Sequence, residues 1–151
     1  MQVIKNSSPT PLTEPQTVLV TGATGFIGTR LTSLLLSRRV EVRQAARFSG
    51  VSSQDIAIGC ISDVTDWAQS LRGVDAIVHL AARVHLMKDQ SDNPLAEFRG
   101  VNVAGTLNLA QQAAAAGVKR FIFISSIIVN GEQTQKGQPF TEKDIANPLD
   151  N

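Results

Sequence analysis

Thr17-Val18-Leu19-Val20-Thr21-Gly22-Ala23-Thr24-Gly25-Phe26-Ile27-Gly28 decides how this chain is read. Its first five residues form a β-rich apolar run, too short for a helix and stopped by Gly22, which predicts a buried strand. Ile27, Leu31, Leu34 and Leu35 then recur at helical spacing among Thr29, Arg30, Ser33 and Ser37, which predicts one apolar helix face. A glycine-rich turn between a buried strand and a helix aims the helix's free N–H groups, and the positive end of its dipole, at a pyrophosphate. In that reading Gly22 makes the tight turn, Gly25 lets a phosphate approach the backbone and Gly28 lets the helix sit close on the sheet. Three glycines in an ordinary turn would explain the spacing, but not the strand and helix on either side of it.

The alternation continues outward from there. Residues 40–46 and 55–59 read as second and third strands, 66–71 as a short helix and 75–80 as a fourth buried strand. Pro94 opens a long helix to about residue 116, with Gly117 as its stop. Its stripe is Leu95, Phe98, Gly105 and Leu109, with Asn102 inside it. Residues 119–125 read as a fifth strand, and after Ser126 the chain reads as loop. Strands alternating with helices predict βαβ units and a parallel sheet, an α/β fold of doubly wound, Rossmann-like type. Residues 1–15 carry Pro9, Pro11 and Pro15 among Ser, Thr and Asn, without the basic start or apolar run of a signal peptide. They are expected to be a disordered leader to a domain over 16–151.

Composition narrows the function classes. The 151 residues are 42% hydrophobic and 18% charged, with a formal net charge of +1, so neither nucleic-acid nor acidic-membrane binding is expected to be charge-driven. The single cysteine, Cys60, excludes an internal disulfide framework and a multi-cysteine metal site, and reads as a small buried filler. No apolar run is long enough to span a bilayer. Cysteine usage and the lack of a signal point to the cytoplasm. There is no tyrosine.

The motif Thr-Gly-Ala-Thr-Gly-Phe-Ile-Gly resembles that of the extended short-chain dehydrogenase/reductase family, in particular its nucleotide-sugar epimerases and dehydratases. The similarity runs from about Thr17 to the end of the chain. It implies a cofactor, NAD or NADP, held by Gly22, Thr24, Gly25, Phe26, Ile27 and Gly28, with Ile61 also in contact. His79-Leu80-Ala81-Ala82 looks like the family's second cofactor segment, in which Leu80, Ala81 and Ala82 let the backbone pass beside the cofactor; His79 reads as strand packing. Asn102, in Val-Asn-Val-Ala-Gly-Thr, matches a family asparagine that supports the cofactor side of the long helix; as a residue it also reads as a buried amide satisfied by backbone. Phe-Ile-Ser-Ser followed by Val129-Asn130-Gly131 matches the segment that carries the family's catalytic serine. That assigns Ser126 to the reacting hydroxyl and puts Ser125 nearer the cofactor, although hydroxyls at a strand end also bond backbone.

The choice of nicotinamide cofactor turns on the end of the second strand. An Asp or Glu for the ribose hydroxyls is expected about 20 residues past the glycine motif. Ala45 and Ala46 stand there, Glu41 comes too early, and Arg47 follows. Arg47 would pair with a 2′-phosphate, or else be a solvated loop charge; Arg43 is a second candidate. Cys60 follows Gly59 where the family often has Asp near the adenine, which leaves adenine recognition open.

The family's chemistry is hydride transfer at a sugar carbon, with a Ser or Thr hydroxyl bonding the reacting oxygen and a tyrosine, helped by a lysine four residues on, acting as base. No Tyr-x-x-x-Lys is present. The resemblance implies that the chain is the N-terminal, cofactor-binding portion of a longer enzyme, cut before the last strands and the substrate lobe. It is expected to lack turnover alone and to expose a sheet edge and a long-helix face, through which it would associate. Ile127 and Ile128 occupy the place of the dehydratases' Asp-Glu pair, which leaves 4-epimerisation or carbonyl reduction. Ala-Ala-Arg-Val-His-Leu-Met and Val-Asn-Gly look similar to a bacterial surface-polysaccharide branch, with reductases of UDP-4-keto-6-deoxy sugars beside epimerases. His85 would face the sugar or lie on the surface. The implied partners are a UDP-linked nucleotide sugar and a second copy of the enzyme, with no nucleic acid and no membrane insertion. A dinucleotide-binding module without catalysis is the reading from a different class.

Overall fold

The computed structural model describes residues 16–48, 55–84 and 93–148. The expected leader and His85 lie outside them. Five strands, β1 (Thr17–Thr21), β2 (Glu41–Ala46), β3 (Asp55–Ala57), β4 (Ala76–His79) and β5 (Arg120–Phe123), form one sheet in the order β3-β2-β1-β4-β5. Every pairing is parallel, so all five C-terminal ends reach the same edge. The order reverses between β1 and β4, and in open α/β sheets that reversal opens a crevice outside the strand ends. This is the Rossmann-like sheet predicted from the alternation. The start of β1 is tied down by Asp75, whose carboxylate accepts from the amides of Gln16 and Thr17 at 3.0 Å each.

Alternate residues of β1 supply two cores. Val18 and Val20 join Val42, Ala76 and Ala23 under Leu31 and Leu35 of α1 (Phe26–Ser37). Leu19 joins Ala45, Ile77, Trp67 and Leu71 under Leu109 and Ala113 of α3 (Thr106–Ala115). Helices on both faces are what a parallel sheet, apolar on both sides, requires.

Several local expectations are corrected. The α1 face is narrower than its spacing implies: Gly28 and Thr32 are its buried residues, Leu31 and Leu35 are half-buried, and Ile27 and Leu34 are exposed. The helix approaches the sheet through its small residues, and no described element covers the flank carrying Ile27 and Leu34. Residues 66–71 form turns rather than a helix. Trp67 is anchored in the core, its amide is taken by the Gln112 side chain at 2.9 Å, Ala68 N–H bonds the Asp66 carboxylate, and Leu71 N–H bonds Trp67 C=O at 3.0 Å without a helix continuing from it. The long helix is interrupted. α2 (Pro94–Arg99), capped by the Asn93 side chain, passes into a π-helical segment (Gly100–Gly105) before α3 begins. Such widened turns are often found at functional sites, and this one carries Asn102. Cys60 is exposed rather than buried, because the turn after β3 faces its side chain outward while Ile61 packs on the core. The segment after Ser126 begins with a 3₁₀ turn (Ile127–Asn130) before becoming loop.

The expected uncovered surfaces are present. On β5 and just beyond it, Ile122, Phe123 and Ile124 are exposed, as are Val103 and Leu107 on the long helix. No helix among the described residues is long and apolar enough to cross a membrane.

Candidate dinucleotide site

The elbow between β1 and α1 is built from backbone. Gly25 N–H bonds Gly22 C=O at 3.0 Å and closes the turn. Gly22 sits at φ +68°, the left-handed region, and a Cβ there would lie 2.8 Å from Ala81 N. A Cβ on Gly28 would lie 2.1 Å from Gly22 O and 2.7 Å from Ala23 Cα. Both glycines are therefore required by contact, one against the segment after β4 and one under the helix. Gly25 caps α1 with no side-chain hydrogen bond, and the first turn holds no acidic residue. The opening amides of a helix have no partner within it. The side chains beside them do not plug the elbow: Thr24 is exposed and Phe26 is 98% exposed. Bare amides, a dipole end and an absent Cβ together fit a pyrophosphate.

Leu80, Ala81 and Ala82 continue from β4 along the other side of the crevice. Leu80 is packed on the α1-side core, Ala81 is half-buried against Gly22 and Ala82 is exposed. Asn102 exchanges two hydrogen bonds with the Arg83 backbone, accepting from its N–H at 2.8 Å and donating to its C=O at 2.9 Å. It is thus the backbone-satisfied amide, and through that pairing it fastens the segment after β4 to the π-helical turn. The Arg83 guanidinium lies over the Phe98 ring, 5.5 Å from its centroid.

His79 is 1% exposed and bonded to Thr21 and Thr106, in keeping with a packing role in the strand. Its pKa is lowered by burial. Sequence spacing missed the pairing of Thr21 with His79; the only signal was a polar residue at the last position of each of two adjacent apolar strands.

At the end of β2, Arg47 is exposed one residue past Ala46, at the strand edge that faces the elbow. Arg43 stands mid-strand opposite Leu19, bonded to the Arg72 carbonyl and paired with Glu41 at 3.4 Å, and so is removed from the edge. Ile61 turns its side chain into the core, where its Cγ2 would be 2.5 Å from a Cβ on Gly105. Ser125 and Ser126 are exposed just past β5. The Ser126 hydroxyl caps the 3₁₀ turn, its oxygen accepting from Ile128 N–H at 3.3 Å. That bond uses a lone pair and leaves the O–H free to donate. A groove of about 700 Å³ follows α1 between Phe26 and Ser37, lined by Leu31 and Leu34, and so runs along the helix rather than along the strand ends.

A parallel sheet in this order, with an open glycine elbow at its switch point, defines a Rossmann-type domain of the short-chain dehydrogenase/reductase kind. Residues 18–151 match the NAD dependent epimerase/dehydratase family, and the chain belongs to it. It is 47% identical over 140 residues to a UDP-glucose 4-epimerase of Vibrio cholerae, covering 90% of this chain and 42% of that protein. It is 37% identical over 142 residues to a 3-beta-hydroxysteroid dehydrogenase of Mycolicibacterium neoaurum, covering 83% of this chain and 38% of that one. Among solved structures it resembles a short-chain dehydrogenase/reductase superfamily protein from Agrobacterium tumefaciens with bound NAD, at a TM-score of 0.75 and 30% identity, covering 89% of this chain and 40% of that one. The chain thus spans about two fifths of the length of these relatives.

Proposed function

We propose that this chain is the NAD(P)-binding portion of a nucleotide-diphosphate-sugar 4-epimerase that works by reversible hydride transfer at the sugar C4. The observation that carries this reading is the open, amide-lined elbow at the β1–β4 crevice, with the Ser126 hydroxyl on the same sheet edge. The 47% identity to a UDP-glucose 4-epimerase supports a UDP-linked sugar over a steroid. When bound, a nicotinamide dinucleotide supplies a hydride acceptor and donor. The elbow amides hold its phosphates, the Gly22–Ala81 contact lets the backbone pass close beside it, and Ser126 donates to the reacting oxygen. Ile127 and Ile128 move no proton, which disfavours dehydration. Without a tyrosine, these residues bind and orient but lack the phenolic base.

Calorimetric titration of the chain with NAD and NADP tests the binding. Saturable binding of either is expected, with no conversion of UDP-glucose by the chain alone; absence of binding to both would refute the reading. We also propose that the 151-residue chain self-associates through the exposed β5 edge, which a monomeric mass by light scattering at high concentration would exclude.

Arg47 favours a second reading, an NADPH-dependent C4 reductase of a UDP-4-keto-6-deoxy sugar, since a guanidinium beside the adenosine ribose pairs with a 2′-phosphate. In that case Arg47→Ala weakens NADP binding about tenfold, the worth of one charge-assisted hydrogen bond, and leaves NAD binding unchanged. Equal effects on both cofactors would remove Arg47 from cofactor choice. The whole enzyme then separates the two reactions: an epimerase regenerates its cofactor, whereas a reductase consumes NADPH mole for mole.

A further inference from the structure

Thr21 Oγ1 is the junction of three groups at the crevice. It lies 3.2 Å from Leu80 N, 3.1 Å from Ala81 N and 2.7 Å from His79 Nδ1, while His79 Nε2 lies 3.0 Å from Thr106 Oγ1. The two amides can only donate, and both aim at the hydroxyl oxygen, the Leu80 N–H being shared with the Thr21 carbonyl at 3.3 Å. With two donors aimed at its oxygen, the hydroxyl is oriented to give its own proton to His79 Nδ1. A neutral imidazole that accepts at Nδ1 carries its proton on Nε2, where it donates to Thr106. The Ala81 amide held this way is the atom against which Gly22 packs.

We propose that His79 is a positioning residue: as the Nε2–H tautomer it orients the Thr21 hydroxyl to hold the Leu80–Ala81 segment against Gly22, and so sets the floor of the dinucleotide crevice. The cofactor part of this rests on the reading that the crevice takes NAD or NADP.

A charged imidazole would carry a proton on Nδ1 and face a hydroxyl oxygen at which two amides already aim. Protonation therefore breaks the Thr21 junction. The groups facing the ring are Thr21 from β1, Thr106 from α3, and Phe121 and Phe123 from β5, whose ring centroids lie 6.1 and 6.0 Å away. None of them titrates in this range. Burial holds His79 below its ordinary value of 6.5. A group depressed on folding has its full stabilising effect above the unfolded pKa, and loses it as pH falls from about 6.5 through the folded value.

The test uses the whole chain and three readouts. Nitrogen NMR of the imidazole should show an unprotonated Nδ1 and a protonated Nε2 at neutral pH; the reverse tautomer overturns the proposal with or without cofactor. Hydrogen exchange should show Leu80 and Ala81 amides deprotected at least tenfold in His79→Leu relative to Ile77 and Val78. His79→Asn, which keeps an oxygen acceptor in the place of Nδ1, and Thr21→Ser should both retain that protection. Uniform deprotection along β4 in His79→Leu, or none, would reduce His79 to a packing residue. If His79→Leu does not fold, Thr21→Val, which lacks the hydroxyl, is compared with Thr21→Ser in the same way.

Titration with NAD and NADP is the third readout. Affinity for whichever binds should fall about tenfold in His79→Leu, and should weaken at acidic pH in the natural sequence but not in His79→Asn. If the natural sequence binds neither, the proposed function fails while tautomer and exchange still decide the positioning role. If it binds and the variants match it at every pH, the positioning role fails alone.

Discussion

Gly28→Ala is expected to cost about 3 kcal/mol or more, at or beyond the upper end of ordinary overpacking. Its Cβ would lie 2.1 Å from Gly22 O, 2.7 Å from Ala23 Cα and 2.8 Å from Ala23 C. All three are backbone atoms of the elbow, and none can swing aside as the end of a side chain can. Either α1 lifts from Val18 and Val20, or the turn reopens; both lose the α1-side core. For a domain whose net stability is of order 5–15 kcal/mol, such a loss is a large fraction of the whole. Urea unfolding followed by circular dichroism measures it. Arg30→Ala, two residues on and exposed, serves as the control and should stay within about 0.5 kcal/mol of the natural sequence. Equal midpoints for the two variants would mean that the helix does not sit as close to the sheet as described.

Gly22→Ala should separate binding from folding. The residue's φ of +68° costs an L-amino acid about 1–2 kcal/mol. The added Cβ would also lie 2.8 Å from Ala81 N and 3.0 Å from Leu80 C. The segment after β4 is the part able to yield, since past Leu80 it is tied by the Thr21 and Asn102 side chains rather than by a strand ladder. The expected result is a protein that still unfolds cooperatively, about 2 kcal/mol less stable, with NAD or NADP affinity reduced at least tenfold because the crevice floor has shifted. Calorimetry beside urea unfolding checks both halves. Unchanged affinity at reduced stability would detach Gly22 from the site and leave it a turn residue.

The two variants also mark how much of the site was legible. Strand β1, the glycine elbow and the start of α1 could be read residue by residue, because their signals are local: an apolar run, its punctuation and a helical period within one stretch of chain. Pro94 and Gly117 likewise announced the ends of the long helix. The break within that helix was not readable. The π-helical stretch carries Asn102 against the Arg83 backbone, a contact made across 19 positions of sequence. Nor was the exposure of Ile27 and Leu34, since a helical period says which residues share a face but not whether anything covers it. Residues 66–71 have a helical spacing but close only turns, with Trp67 buried in the core and its amide bonded to the Gln112 side chain 45 positions away.

The sequence by itself determined the class of fold and the place of the glycine elbow, because the strand, the turn and the start of the helix are set by near neighbours. Only the tertiary structure decided that Gly22 abuts Ala81, that Thr21 and His79 lie within hydrogen-bond distance, and that Arg47 rather than Arg43 stands at the strand edge. Those facts depend on the register between parallel strands joined by long crossovers, and register is settled when side chains far apart in the chain compete for the same buried space.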